Sequence, residues 1–147
     1  MLSNLKTIDS QYERILAKVR PDLVVIDAYI GSPALIKSGL PFIVIYSAAP
    51  LILFNCDNLP PPWSGFAIDS DKSEWKPFKE RFESLFVDVK HDTNQWFISQ
   101  GLPSLSTKSN TILHPESKYL NIYMYPKELD YNEWQPLPHN WKRVDGF

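Results

Sequence analysis

The order of apolar and polar positions along the chain predicts alternating helices and strands. Residues 3–19 carry apolar side chains at spacings of three and four, which is typical of an amphipathic helix, and Pro21 ends it. Residues 22–27 and 41–47 are short runs of branched apolar residues without alternation. Such runs indicate strands that are buried on both faces, as in a parallel sheet.

A short helix is predicted between these two runs. Ser32 is a good N-cap residue, Pro33 suits the first helical position, and Gly39 is well placed as the C′ residue. Helix, strand, helix and strand therefore alternate with short turns. This order indicates βαβ units and a parallel sheet covered by helices.

The second half of the chain is less regular. Residues 57–72 form a long proline-rich loop that contains Trp63, and such loops are often functional. Residues 73–99 carry an aromatic stripe and predict one long helix, or two in tandem. Residues 120–125 alternate as a third strand, and 126–147, with three prolines, is expected to be a connector.

These elements predict an α/β fold with an incomplete Rossmann-like parallel sheet and flanking helices. Two or three strands with three helices make a lopsided sheet, and no strand is predicted before the first helix. We therefore expect a piece of a larger protein. Residues 1–135 are interpreted as a partial acceptor-binding domain and residues 136–147 as the start of an interdomain linker.

Composition excludes several function classes. A net charge of -2 without a basic run argues against nucleic-acid binding. The single cysteine, Cys56, cannot form a disulfide within the chain or build a zinc site. The longest apolar stretch is interrupted by Pro41 and Pro50, so no membrane segment is predicted. We expect a cytoplasmic location, or the endoplasmic reticulum membrane if a longer parent carries a signal peptide and a C-terminal anchor.

Asp27 is the position with the clearest chemical interest. It comes at the carboxyl end of a predicted parallel strand, and ligands of open α/β sheets bind in the crevice outside those ends. A carboxylate there can orient a histidine, bind a sugar hydroxyl, or cap the next helix. Position alone leaves all three roles open.

Several segments resemble the N-terminal domain of UDP-glycosyltransferases. They are the strand and turn at 21–29, the helix start at 32–35, the strand at 38–47 and the proline-rich loop at 59–65. Within this family the chain most resembles the arthropod, mite-like branch. That branch is itself similar to bacterial macrolide glycosyltransferases. The resemblance covers most of the chain, whereas the most diagnostic signature of the family lies in its C-terminal domain.

The resemblance implies an enzyme of the glycosyltransferase-B arrangement, with two Rossmann-like domains. The N-terminal domain holds a small lipophilic acceptor, and the other domain holds the UDP-sugar, a donor co-substrate rather than a cofactor. A histidine after the first strand acts as general base, and an aspartate after a later strand, matched by Asp27, hydrogen-bonds it. The sugar is transferred to an acceptor hydroxyl with inversion and without a metal. Candidate acceptor-binding residues are Tyr29, Ser47, Ala48 and Trp63.

The histidines depart from the family pattern. His91, His114 and His139 all follow Asp27, whereas the catalytic histidine of the family precedes the aspartate. None of the three is assigned the role of general base. Ser32 and Ser47 lack a nucleophile elbow and are interpreted as capping and turn residues.

Two other interpretations stay open. The chain could be a non-catalytic α/β module that binds a hydrophobic ligand or supports a separate catalytic chain. It could also be a piece of another doubly wound fold, such as a flavodoxin-like protein or a hydrolase. Trp63 has a structural alternative of its own, as a loop anchor packed on the domain.

The sequence predicts that the isolated chain has no transferase activity, because it lacks both the base and the donor site. Purified protein incubated with UDP-sugars and hydroxyl-bearing lipophilic acceptors should give no glycoside in a chromatographic assay. Sugar transfer by the 147-residue chain would contradict the prediction.

Overall fold

The computed structural model describes residues 2–27, 31–47, 49–53, 57–105 and 116–145. The helices are α1 (Leu2–Val19), α2 (Pro33–Ser38), α3 (Pro50–Leu53), α4 (Trp75–Ser84) and α5 (Val87–Ser99). The strands are β1 (Val24–Asp27), β2 (Phe42–Tyr46), β3 (Leu120–Met124) and β4 (Trp141–Val144).

The strands form one four-stranded sheet in the order β1-β2-β3-β4. All three pairings are parallel, which confirms the predicted α/β class. Each parallel neighbour must be reached by a crossover connection, and α2 supplies the one between β1 and β2. All four carboxyl ends therefore lie at one rim of the sheet.

The short helix α2 is capped at both of its ends. Ser32 Oγ accepts a hydrogen bond from the Leu35 amide at 3.1 Å, as predicted for an N-cap. The same hydroxyl donates to Asp9 Oδ1 of α1 at 2.6 Å, so the cap also ties the two helices together. Gly39 ends α2 with φ 70°, a conformation that favours glycine.

The two faces of the sheet differ in burial. Strand alternation and the pairing register place Ile26, Val44, Tyr46, Tyr123 and Trp141 on one face, all buried, which we call the core face. The core cluster on this face includes Leu35 of α2 and Leu53 of α3. Side chains of α1 and of the β3–β4 connection pack against it, namely Tyr12, Leu16 and Leu137.

The opposite face, here the outer face, contains no fully buried side chain among the described residues. Its positions are exposed or half-buried and mostly apolar: Val25, Asp27, Ile43, Ile45, Leu120, Ile122, Met124, Lys142 and Val144. Parallel sheets are normally covered on both faces. The described side chains of the outer face are therefore less buried than those of the core face.

A polar network inside the core fixes the amino ends of the last three strands. The fully buried Asn121 accepts from the Ser117 amide at 2.9 Å and donates to the Ser117 carbonyl at 2.8 Å. Asn140 donates to the same carbonyl at 2.8 Å, and Ser117 Oγ donates to the Phe42 carbonyl. Because every member is hydrogen-bonded, the network holds β2, β3 and β4 in register.

The structure corrects the sequence interpretation in the tail. Residues 126–147 were expected to form a connector, but β4 lies in this segment and Trp141 is only 2% exposed. The prolines obscured a strand of four residues that has an apolar residue at each end. The expected two or three strands are therefore four, whereas the interdomain linker at 136–147 stays a prediction.

The predicted helix at 73–99 is two helices in tandem. A 3-10 turn at Lys72–Glu74 leads into α4, and the break at Leu85 and Phe86 separates α4 from α5. Trp75 of the predicted apolar stripe is buried, as expected, whereas Leu85 is 73% exposed because the chain turns there. The loop predicted at 104–118 lies largely outside the described residues.

Replacing Trp141 tests whether the tail belongs to the core. Trp141 stacks on Tyr46 with ring centroids 5.2 Å apart, and its indole N–H donates to Glu116. Trp141→Ala should lower the free energy of unfolding by about 3–5 kcal/mol in denaturant titrations. Trp63→Ala is the matched control: Trp63 is 71% exposed, so about 0.5 kcal/mol or less is expected. Equal effects of the two changes would contradict a core role for β4.

Candidate functional site

Asp27 and Ser47 meet at the carboxyl rim of the sheet. Asp27 ends β1 and is aligned with Ile45 of β2, so Ser47 follows two residues further on, beyond the end of β2. Ser47 Oγ donates a hydrogen bond to Asp27 Oδ2 at 3.2 Å, and both side chains are exposed. The structure thus brings together two of the residues that the sequence singled out.

The N-cap of α2 decides whether Asp27 caps that helix. A carboxylate after a strand often caps the following helix, but the N-cap of α2 is Ser32, supported by Asp9 of α1. Asp9 Oδ1 also accepts from the Ala34 amide at 3.1 Å. Asp27 therefore does not cap α2, and the capping interpretation is wrong.

The hydrogen-bonding capacity of Asp27 determines what it can do. An ionised carboxylate offers about four acceptor positions, and the Ser47 hydroxyl uses one of them. The exposed carboxylate can accept further hydrogen bonds from an imidazole N–H or a sugar hydroxyl. Ser47 in turn restricts the rotation of the Asp27 carboxylate.

The described histidines do not supply a partner for Asp27. His91 lies exposed on α5 beside Asp92, as predicted, and it is not hydrogen-bonded to Asp27. His139 precedes β4 by two residues, which places it at the amino end of the sheet and hence opposite the rim that carries Asp27. His114 lies outside the described residues.

The remaining acceptor-binding candidates differ in what the structure shows of them. Tyr29 and Ala48 lie outside the described residues. Trp63 is exposed and has φ 65°, an unusual conformation for a large side chain, in a loop whose preceding residues Leu59, Pro60 and Pro61 are buried. The loop is anchored by those three residues and not by Trp63, so the anchor alternative for the indole is wrong.

A second polar cluster lies at the same rim and was missed by the sequence interpretation. Tyr123 donates to Asp130 Oδ2 at 2.8 Å, and Arg143 Nε lies 3.5 Å from the same oxygen. Arg143 also donates to the Tyr125 carbonyl and pairs with Asp145. The strand pattern could have placed Tyr123 in the core, but Asp130 arrives from an irregular turn that no periodicity predicts.

The side chains of this second cluster are hydrogen-bonded or ion-paired with one another. Burial, with the hydrogen bond to Asp130, raises the pKa of Tyr123 well above its ordinary value of 10.0. The hydrogen bond between Arg143 and Asp145 raises the pKa of Arg143, so the guanidinium stays charged. The cluster fastens β3 and β4 at the rim while Asp27 and Ser47 remain open to solvent.

A depression away from the Asp27 rim has a mostly polar lining. An open depression of about 670 Å³ on α4 is lined by charged and polar side chains together with Pro77, and it contains none of the predicted site residues. Within the described ranges, His, Cys, Asp and Glu side chains form no group that could hold a metal ion. No described helix is long and apolar enough to cross a membrane.

Comparison with known proteins adds no family assignment. No protein-family model matches the chain, and no match is found among curated proteins.

The buried tyrosines predict a loss of stability at alkaline pH. Burial, followed by the charge of Glu116, raises the pKa of Tyr46, and Tyr123 is raised as described above. The folded state holds these protons more tightly than the unfolded state, so stability is complete below pH 10.0 and falls as the pH rises above it. Each phenol adds up to about 1.4 kcal/mol per pH unit to this slope.

Tyr123→Phe should make that slope shallower in denaturant titrations at increasing pH. Tyr119→Phe, at a position that is 46% exposed, is the matched control and should leave the slope unchanged. An identical alkaline slope for the wild type and Tyr123→Phe would remove Tyr123 as its source.

Proposed function

We propose that this chain is the acceptor side of a UDP-glycosyltransferase-like enzyme, in which Asp27 positions a general-base histidine supplied by another part of a longer polypeptide. The observation that supports this most is the exposed Asp27–Ser47 pair at the carboxyl rim of an open parallel sheet. The rim of such a sheet is where ligands bind in doubly wound folds. The parallel α/β architecture agrees with what the family resemblance implies for this half of the enzyme.

The roles of the residues follow from their hydrogen bonds. Asp27 accepts the N–H of the histidine, which fixes the imidazole tautomer and turns the other nitrogen towards the acceptor hydroxyl. Ser47 holds the carboxylate through its 3.2 Å hydrogen bond. As the imidazole takes the hydroxyl proton, the negative charge of Asp27 stabilises the resulting imidazolium.

The reaction that this arrangement serves is a single displacement. The deprotonated acceptor oxygen forms a bond to the anomeric carbon of the sugar, and the bond between that carbon and the UDP oxygen breaks. The configuration at the anomeric carbon is therefore inverted. In this scheme the acceptor is a small lipophilic molecule with a hydroxyl group, and the UDP-sugar is held by the second domain.

A non-catalytic binding module is the second candidate. It is favoured by one observation: neither described histidine, His91 or His139, is hydrogen-bonded to Asp27. In that case the rim would bind a ligand hydroxyl through Asp27 and Ser47 without transferring a group. Measurements of turnover and of acceptor binding separate the two candidates.

Asp27→Asn in the full-length parent should reduce kcat about 100-fold or more while barely changing acceptor affinity, since the amide cannot stabilise an imidazolium. The acid limb of the pH–rate profile should move to lower pH, because the carboxylate no longer raises the pKa of the base. Ser47→Ala should reduce kcat roughly threefold to tenfold, as expected for one lost hydrogen bond.

Asp69→Asn is the matched control, because Asp69 is an exposed aspartate in a turn of the proline-rich loop. Its kcat and pH profile should equal those of the wild type. Normal turnover of the Asp27→Asn enzyme would remove Asp27 from the mechanism. Acceptor binding without turnover by the wild-type parent would favour the binding module.

A further inference from the structure

The first part of the proline-rich loop is fastened to α4 at both of its ends. At one end, Lys79 Nζ lies 2.8 Å from Asp57 Oδ1. At the other end, the ring of Phe66 meets the ring of Phe78 edge-on, with centroids 5.7 Å apart. The segment 57–66 is therefore held at two neighbouring positions of one helix, as in the Ω-loops that often carry function.

Buried side chains fill the inside of the 57–66 loop. Leu59 is only 3% exposed, and Pro60 and Pro61 are buried as well. Consecutive prolines have a fixed φ, so this stretch loses little conformational entropy when the chain folds. The loop is thus held in place through residues other than Trp63.

Trp63 occupies a turn position that favours glycine. The Ser64 amide donates to the Pro61 carbonyl at 3.2 Å, which closes a β-turn. Pro62, whose ring fixes φ at about −65°, precedes Trp63 with its φ of 65°, so the turn is of type II. The third residue of a type II turn is normally glycine or asparagine, because a bulky side chain is strained there.

The fold gains little from an indole at this position. A tryptophan stabilises a fold by burying its large apolar surface, whereas the Trp63 side chain is 71% exposed. Its backbone conformation costs free energy that no burial of the ring offsets. Strained residues of this kind cluster at ligand-binding positions, so the strain indicates a role outside the fold.

The composition of the loop determines what the indole can bind. From Asn58 to Ile68 the sequence contains no charged side chain, so the loop offers no counter-charge to an ionic ligand. The indole itself has a flat apolar face, on which another ring can stack, and one N–H donor at its edge. A neutral molecule with a planar ring matches these features.

We propose that Trp63 is a preformed stacking site for a neutral molecule with a planar ring. The 57–66 loop holds the indole in position, and the ligand covers its exposed face. This gives a ligand chemistry to a residue that the family resemblance named only as a candidate for acceptor binding. The proposal does not rest on the proposed function, because it is drawn from the loop and makes no use of Asp27.

Nuclear magnetic resonance of the indole N–H groups tests the site directly. Benzyl alcohol is a neutral probe with a planar ring, and cyclohexylmethanol carries the same hydroxymethyl group on a puckered ring. In the 147-residue chain, benzyl alcohol should shift the indole N–H signal of Trp63 and bind about threefold or more tightly than cyclohexylmethanol. The buried Trp75, Trp96 and Trp141 are internal controls, and their signals should stay in place.

Trp63→Gly assigns the signal and separates binding from folding. The change removes the indole and places glycine where the turn favours it, so Tm should equal or exceed that of the wild type. The saturation-transfer signal of benzyl alcohol should fall about threefold or more. Trp63→Phe keeps a flat ring and should retain most of that signal. Tyr119→Ala, at a position that is 46% exposed, is the matched control and should bind as the wild type does.

Four outcomes would overturn the stacking site. An unmoved Trp63 signal, or equal binding of benzyl alcohol by the wild type and Trp63→Gly, would remove the indole as its source. Equal affinity for the two alcohols would show apolar contact without stacking, and tighter binding of tetramethylammonium than of benzyl alcohol would show a cation site. A lower Tm for Trp63→Gly would show that the indole is kept for folding. Asp27→Asn should bind benzyl alcohol as the wild type does, so the stacking site and the catalytic role of Asp27 can fail independently.

Discussion

The direction in which the sheet is wound governs the rest of this structure. Four parallel strands follow one another in sequence order, and every step advances the same way. Right-handed crossovers place such connections on one face of the sheet, and Leu35 of α2 and Leu53 of α3 are buried on the core face with Tyr46, Tyr123 and Trp141. The lower burial of the outer face, whose described side chains are exposed or half-buried, is consistent with the same rule.

The parallel arrangement also creates the candidate site. Asp27 and Ser47 are 20 residues apart in the chain, yet they meet because their strands are adjacent and end at the same rim. The buried Asn121 network anchors the opposite rim and holds β2, β3 and β4 in register without the exposed residues. The side chains of Asp27 and Ser47 are exposed and take no part in that network.

Local rules predicted the elements whose signals lie within a few residues. The start and end of α2 were predicted because Ser32 and Gly39 act through contacts with neighbouring residues. β4 was missed, since its four residues lie in a proline-rich segment and it exists through pairing with β3 and the stacking of Trp141 on Tyr46. The sequence singled out Asp27 and Ser47 separately, and their contact arises because β1 and β2 end at the same rim, whereas the Asp130–Tyr123 contact depends on an irregular turn.

The exposure of Asp27 determines how strongly its carboxylate could attract an imidazolium. In water, a carboxylate and an imidazolium in contact attract each other by only about 1 kcal/mol, whereas the same pair in a partly buried site gains several times more. A positioning carboxylate therefore needs a neighbour that excludes water as well as one that supplies the histidine.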